Sequence, residues 1–140
     1  MRKKVREQSE TAAARLREAG LRPTRQRIEL ASLLFAQGHR HLTAETLHAE
    51  AAKADAKVSL ATVYNTLNQF TDAGLLRQVA VDAARSYFDT NTGEHQHFFV
   101  EDEDQLIDIP GGAITVSGVP TAPKGTSLSR VDVVVRVRRP

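Results

Sequence analysis

Cysteine is absent from all 140 residues, which removes disulfides, thiolate zinc sites and cysteine nucleophiles from the chemistry open to this chain. Any metal it holds must be bound through nitrogen and oxygen. No apolar run approaches the roughly 20 residues of a membrane span. The basic start Met1-Arg2-Lys3-Lys4-Val5-Arg6 is not followed by an apolar stretch, so neither insertion nor secretion is signalled and the cytoplasm is the expected location. A glycine-rich phosphate loop and a Ser/His/Asp arrangement are both missing, and Gly111-Gly112 lacks the flanking motif. The chain is also too short for a barrel enzyme. A small metalloenzyme is the remaining catalytic rival, because His-x-His with scattered aspartates occurs in hydrolases. That pattern wants a further Asp-His directly after the pair, and Phe98, Phe99 and Val100 stand there instead. No enzymatic activity is expected.

What is present suits one ordinary core or two small ones, since 41% of the residues are hydrophobic. The formal net charge of +2 hides an asymmetry. Residues 1–85 carry 14 Lys/Arg against 9 Asp/Glu, and residues 86–140 carry 5 against 8. A basic first half suits a polyanion. The acidic second half suits cations or nothing in particular.

The spacing predicts a first helix over residues 9–19, an alanine-rich stretch closed by Gly20. Pro23 and Thr24 start a second helix, with Ile28, Ala31, Leu34 and Phe35 at helical spacing through Gln37 and Gly38 ending it. Thr43 caps a third helix that buries Leu47 and Ala51 and runs to about Ala54. Ser59 caps a fourth, with Leu60, Val63, Leu67 and Phe70 as its inward stripe and Gly74 after its end. Together these make a tri-helical core containing a helix-turn-helix. Two strand-like runs, residues 75–81 and 86–89, joined by Asp82-Ala83-Ala84-Arg85, have the form of a wing hairpin. Short strands are predicted near residues 97–100 and 105–109, then a Gly/Pro-rich stretch over 110–125 with no clear helix, then a final strand in which Val131, Val133, Val135 and Val137 alternate. The expected fold class is α+β: a winged helix-turn-helix DNA-binding domain over residues 1–89, followed by a small α/β or mainly β domain over 90–140.

On the fourth helix the outward positions Ala61, Thr62, Tyr64, Asn65 and Asn68 are small or hydrogen-bonding. Such a face suits a major groove, where helix and bases approach closely. Arg22, Arg25 and Arg27 cluster at the start of the second helix, where arginine binds phosphates or probes a narrow minor groove. With Ser59 at the helix start, these residues form the expected DNA-binding set.

The segments Gly20-Leu21-Arg22-Pro23-Thr24-Arg25-Gln26-Arg27, His41-Leu42-Thr43-Ala44-Glu45, Ser59-Leu60-Ala61-Thr62-Val63-Tyr64-Asn65-Thr66-Leu67 and Phe70-Thr71-Asp72-Ala73-Gly74-Leu75 resemble the ferric uptake regulator family. Within it, Phe88-Asp89-Thr90-Asn91-Thr92, His97-Phe98-Phe99-Val100 and Leu106-Ile107-Asp108-Ile109-Pro110 resemble the iron response regulator branch. The resemblance implies a homodimer on an inverted-repeat operator in double-stranded DNA, with Tyr64 at the bases, Arg22 in the minor groove, and Thr62 and Asn65 at the major-groove surface. The second domain would then serve dimerisation and sensing.

His95-Gln96-His97 is the most informative polar cluster of the second half. In an extended segment, residues two apart point to the same side, so both imidazoles can converge on one ion. By the family resemblance, His41, Asp89, His95, His97 and Asp108 form a regulatory metal site. Its mixed imidazole and carboxylate donors suit Fe(II), Mn(II) or Zn(II). Aspartate at both acidic positions also resembles the peroxide-sensing branch. The cysteine pairs of a structural zinc are missing, with Val100 and Glu103 where the first would lie. The iron-response branch implies a regulator active at low iron and inactivated through haem, with haem or a haem-synthesis enzyme as partner. Here the cysteine-containing haem motif is absent and Gln96 interrupts the triple histidine, leaving His95 and His97 as the haem candidates in this half. The metal-corepressor alternative has the opposite sign, with Fe or Mn promoting DNA binding.

Overall fold

A computed structural model describes residues 2–140. The chain divides into two compact units, one ending at Thr92 and the other beginning at Gly93.

The first unit contains α1 (Arg2–Glu18), α2 (Arg25–Phe35), β1 (His41–Leu42), α3 (Ala44–Lys53), α4 (Leu60–Asp72), β2 (Arg77–Ala80) and β3 (Ser86–Asp89). Helix α1 starts seven residues before the predicted Ser9. Residues 2–8 are mostly Arg, Lys, Glu and Gln, which lose little side-chain freedom in a helix, and no breaker separates them from the alanine run. The chain reverses at Gly20, whose φ of 79° needs no Cβ to be accommodated. Each of the next three helices has the hydroxyl N-cap that its sequence announces. Thr24 accepts from the Arg27 amide, Thr43 from Thr46, and Ser59 from Thr62. Helix α2 stops at Phe35, two residues short of the predicted end.

The core gathers Leu16 of α1, Leu30 and Leu34 of α2, Leu47 and Ala51 of α3, and Val63, Leu67 and Phe70 of α4. Leu60, predicted to face inward, is exposed instead. It is the first residue of α4, and the buried stripe begins one turn later with Val63 and continues through Thr66, Leu67 and Phe70. Strands β2 and β3 form the predicted hairpin. It is closed by Asp82, whose Oδ1 accepts from the Ala84 and Arg85 amides at 2.9 Å each. Strand β1 adds to the far side of β3, giving a three-stranded sheet in the order β1-β3-β2. Leu42 and Phe88 are register partners on the sheet face that joins the helical core.

The second unit holds β4 (Gln96–Val100), β5 (Gln105–Ile109) and β6 (Val134–Val137), with β4 central. β4 runs antiparallel to β5 and parallel to β6. A parallel pair needs a crossover, usually a helix. Here residues 110–133 make the crossing without one, so among the described residues this unit is mainly β rather than α/β. Strand β6 begins three residues later than the predicted Val131. Gln96 supplies the reason: its side-chain Oε1 accepts from the Val133 amide at 2.7 Å and its Nε2 donates to the Val131 carbonyl at 3.4 Å. A side-chain amide thus takes the place of ladder backbone.

Candidate nucleic-acid interface and metal centre

Helix α4 buries Val63, Thr66, Leu67 and Phe70 and turns Ala61, Tyr64, Asn65 and Asn68 to solvent, with Thr62 half-buried. This polar strip crosses the helix-turn-helix of α3 and α4. The turn between those helices is braced by His48, whose Nε2 lies 3.1 Å from the Val58 carbonyl. Ser59 is committed to capping: its Oγ accepts from the Thr62 amide at 3.1 Å and donates to the Thr62 hydroxyl at 2.9 Å. Tyr64 donates its hydroxyl proton to Glu45 Oε1 across 2.5 Å. That bond holds the Glu45 carboxyl below its usual range and pushes the Tyr64 phenol above its own. Glu45 was not singled out from the sequence, where it reads only as a favourable acidic residue in the first turn of α3.

The three arginines have different surroundings. Arg22 is exposed. Arg25 is 91% exposed and pairs with Glu29 one turn on at 3.0 Å. Arg27 is half-buried and tied inward. Its guanidinium donates to the Arg22 carbonyl at 2.9 Å and, through Nε and Nη2, to Gln69 Oε1 of α4 at 3.3 and 3.0 Å. The first two arginines lie at the surface, and Arg27 joins α2 to α4.

Across the wing sheet, His41 of β1 and Arg77 of β2 are both register partners of Asp89 on β3. Alternation puts all three on the face opposite Leu42 and Phe88. Asp89 is fully buried, and its Oδ1 accepts from the Asn91 amide at 2.9 Å. Tyr87 shares this face and meets His41 edge-on, with ring centroids 6.3 Å apart. The row is anchored at its edge by Arg40. Its backbone exchanges hydrogen bonds with Thr90, and its guanidinium grips Glu50 of α3 through two bonds of 2.9 and 2.6 Å. Arg77, a buried guanidinium in the same row, was not picked out from the sequence. A lone arginine at the start of a strand gives no pattern to find it by.

In the second unit, His95 and His97 converge on one carboxylate. Asp108 is the register partner of His97 across β4 and β5. Its Oδ1 lies 3.3 Å from His97 Nε2 and 3.6 Å from His95 Nε2, and the two imidazoles stand 4.5 Å apart. Both histidines are buried. His95 Nδ1 sits 2.8 Å from the Gly93 carbonyl. A carbonyl only accepts, so that nitrogen carries a proton, and Nε2 is the atom that faces Asp108. A lone pair facing a carboxylate is favourable only with a proton or a cation between them. Two ligands at about 2.1 Å from a tetrahedral ion stand about 3.4 Å apart, which the observed separations match. Nitrogen and oxygen donors at this spacing therefore fit a divalent first-row ion. The Nδ1–carbonyl bond is the kind of support that orients metal-ligating histidines.

The architecture is that of a winged helix-turn-helix regulator, an α+β chain in which a DNA-binding-type unit precedes a small sheet unit with nitrogen and oxygen donors. The Ferric uptake regulator family matches residues 18–133, and the chain belongs to that family. Its members are metal-responsive transcription regulators that act as DNA-binding dimers. The peroxide-responsive repressor PerR of Staphylococcus aureus (strain Mu50) is 33% identical over 99 residues, 71% of this chain. The match spans 66% of that repressor, slightly under two thirds of its length. The manganese-containing ferric uptake regulator from Pseudomonas aeruginosa superposes with a TM-score of 0.70 at 28% identity, covering 91% of this chain and 97% of that one. The Vibrio cholerae ferric uptake regulator gives a TM-score of 0.71 at 24% identity over 91% and 98% of the two chains, a likeness of fold. Among the described residues no helix is long and apolar enough to cross a membrane.

Proposed function

We propose that this protein is a dimeric, sequence-specific DNA-binding transcription regulator whose affinity for an inverted-repeat operator is controlled by a divalent metal. The observation that carries this reading is the convergence of buried His95 and His97 on Asp108, 3.6 and 3.3 Å from its Oδ1. The family resemblance adds His41 and Asp89 to the ligand set, and the pairing of these two across β1 and β3 is consistent with that role. When bound, Fe(II), Mn(II) or Zn(II) would supply a positive charge suited to imidazole and carboxylate donors. The protein's contribution is to orient them: His95 through the Gly93 carbonyl, His97 through the β4–β5 register, and Asp89 through the Asn91 amide. On the DNA side, Arg22 and Arg25 contact the backbone or minor groove, Thr62, Tyr64 and Asn65 face the bases, and Ser59 and Arg27 hold the recognition helix in place.

The segments shared with the iron response regulators favour a second reading, in which haem acting at His95 and His97 inactivates the protein. Asp108 crowds both imidazole nitrogens, an arrangement that suits a small ion better than the face of a macrocycle. The two readings predict opposite responses. Metal-free, Mn(II)-loaded and haem-treated protein are to be titrated side by side against duplexes selected from a random pool. A gain of specific binding with Mn(II) and no response to haem supports metal control. Loss of binding with haem and no gain with Mn(II) refutes it in favour of the haem mechanism. The likeness to the staphylococcal peroxide-responsive repressor adds one further arm: Fe(II)-loaded protein exposed to peroxide, with mass spectrometry of the peptides containing His41 and His95. A one-oxygen addition there identifies a peroxide sensor.

A further inference from the structure

The pairing of Tyr64 with Glu45 has a consequence for which base the recognition helix reads, and it rests on the DNA-binding role proposed above. A phenol owns one proton. Tyr64 gives that proton to Glu45 Oε1 at 2.5 Å, and a carboxylate has none to return. Glu45 stands in the first turn of α3, where the partial positive charge of the helix start favours its ionised form. Both side chains are solvent-exposed on the first unit, Tyr64 at 38%, so the bond is made on the surface that would meet DNA. What the phenol oxygen offers beyond Glu45 is lone pairs alone.

We propose that Glu45 is a specificity-determining positioning residue: by taking the phenol proton it makes Tyr64 a hydrogen-bond acceptor that selects an exocyclic amino group in the major groove. Adenine N6 and cytosine N4 are the donors exposed there, whereas guanine O6 and N7 and thymine O4 are acceptors. An acceptor facing an acceptor leaves both unsatisfied, so guanine and thymine are disfavoured opposite Tyr64. A hydroxyl released from Glu45 can turn and donate, and that discrimination then disappears.

The test is selection of duplexes from a random pool by Mn(II)-loaded wild-type protein and the E45A, E45Q and Y64F variants, each checked for native helix content by circular dichroism. Wild-type protein is expected to select adenine or cytosine at one position in each half-site. E45A is expected to reduce that preference about five- to tenfold, the worth of one hydrogen bond, and Y64F to erase it. A preference for guanine or thymine that depends on Tyr64, or an E45A profile identical to the wild type, overturns the inference while leaving DNA reading intact. Enrichment of no duplex by the wild type, whether Mn(II)-loaded or metal-free, overturns DNA reading itself, and this inference with it. Phenolate absorbance in a Y87F background gives a readout independent of DNA. Tyr64 is expected to ionise above the ordinary phenol range and to return to it in E45A. An unchanged titration in E45A removes the proposed bond.

Discussion

Replacing Gln96 separates two roles that its position between His95 and His97 makes easy to confuse. A histidine there would complete a run of three, and a reading by composition alone would expect a richer metal or haem site. The strand geometry says otherwise. Gln96 points to the face of β4 opposite His95 and His97, and its amide bonds to Val133 and Val131. The 2.7 Å bond from the Val133 amide is a full hydrogen bond, worth about 1 kcal/mol net; the 3.4 Å bond to Val131 is worth well under that, and partial exposure lets water recover some of either. Q96H cannot replace the pair, because an imidazole presents its two nitrogens in diverging directions. The expected cost is about 1–1.5 kcal/mol for Q96H and for Q96A alike. With a urea dependence of about 1–3 kcal/mol per molar, the unfolding midpoint should fall by roughly 0.3–1.5 M. Hydrogen exchange at the Val133 amide should accelerate with it. Calorimetric affinity for Mn(II) or Zn(II) should stay within about twofold in Q96H, since the new ring lies on the wrong side of the strand. An unmoved midpoint and unchanged Val133 exchange would refute the ladder role. A tenfold or greater gain in metal affinity would refute the assignment of faces.

H97A and D108A should each lower divalent-metal affinity by more than about 100-fold by calorimetry, because each removes a donor rather than its support, and retention of wild-type affinity would show that the ion binds elsewhere. S59A should lose the cap of α4 and cost about 1 kcal/mol in thermal or urea unfolding; no loss of stability would mean that the hydroxyl serves DNA alone. The arginines should divide in salt titrations of DNA binding. R25A should lower the slope of log affinity against log salt by about one, the mark of a lost phosphate contact. R27M should leave the slope nearly unchanged and reduce stability, because that guanidinium is spent on Gln69 and the Arg22 carbonyl; the reverse pattern would exchange their roles.

The helical half was legible because its signals are local. Thr24, Thr43 and Ser59 cap, Gly20, Gly38 and Gly74 take positive φ after helices, and apolar spacing marks the buried faces. Where the reading slipped, a non-local or weak effect decided. The start of α1 has no cap to announce it. Leu60 is apolar but precedes the first inward position of α4. The edge of β6 is set by a side chain of β4, 37 residues away from Val133 in the chain, and no window of local sequence contains both partners. Strand β1 is two residues long, too short for any periodicity to show.

The candidate sites show the same division. Alternation correctly put His95 and His97 on one side of a strand, because a period of two needs no tertiary information. Their meeting with Asp108 required the β4–β5 register, which the sequence offers only through the family resemblance. The residues that escaped notice, Glu45, Arg77 and Gln69, matter through a single partner brought near by folding. Identical residue types close in sequence part company for the same reason. Arg25 and Arg27 lie two positions apart at the start of one helix, about 200° around its axis, so one points to solvent while the other reaches α4. A basic cluster read as one electrostatic patch is therefore two devices: an exposed charge able to meet a phosphate, and a brace that fixes the helix carrying Tyr64. The second is invisible to charge counting and is what gives the first a defined geometry to act from.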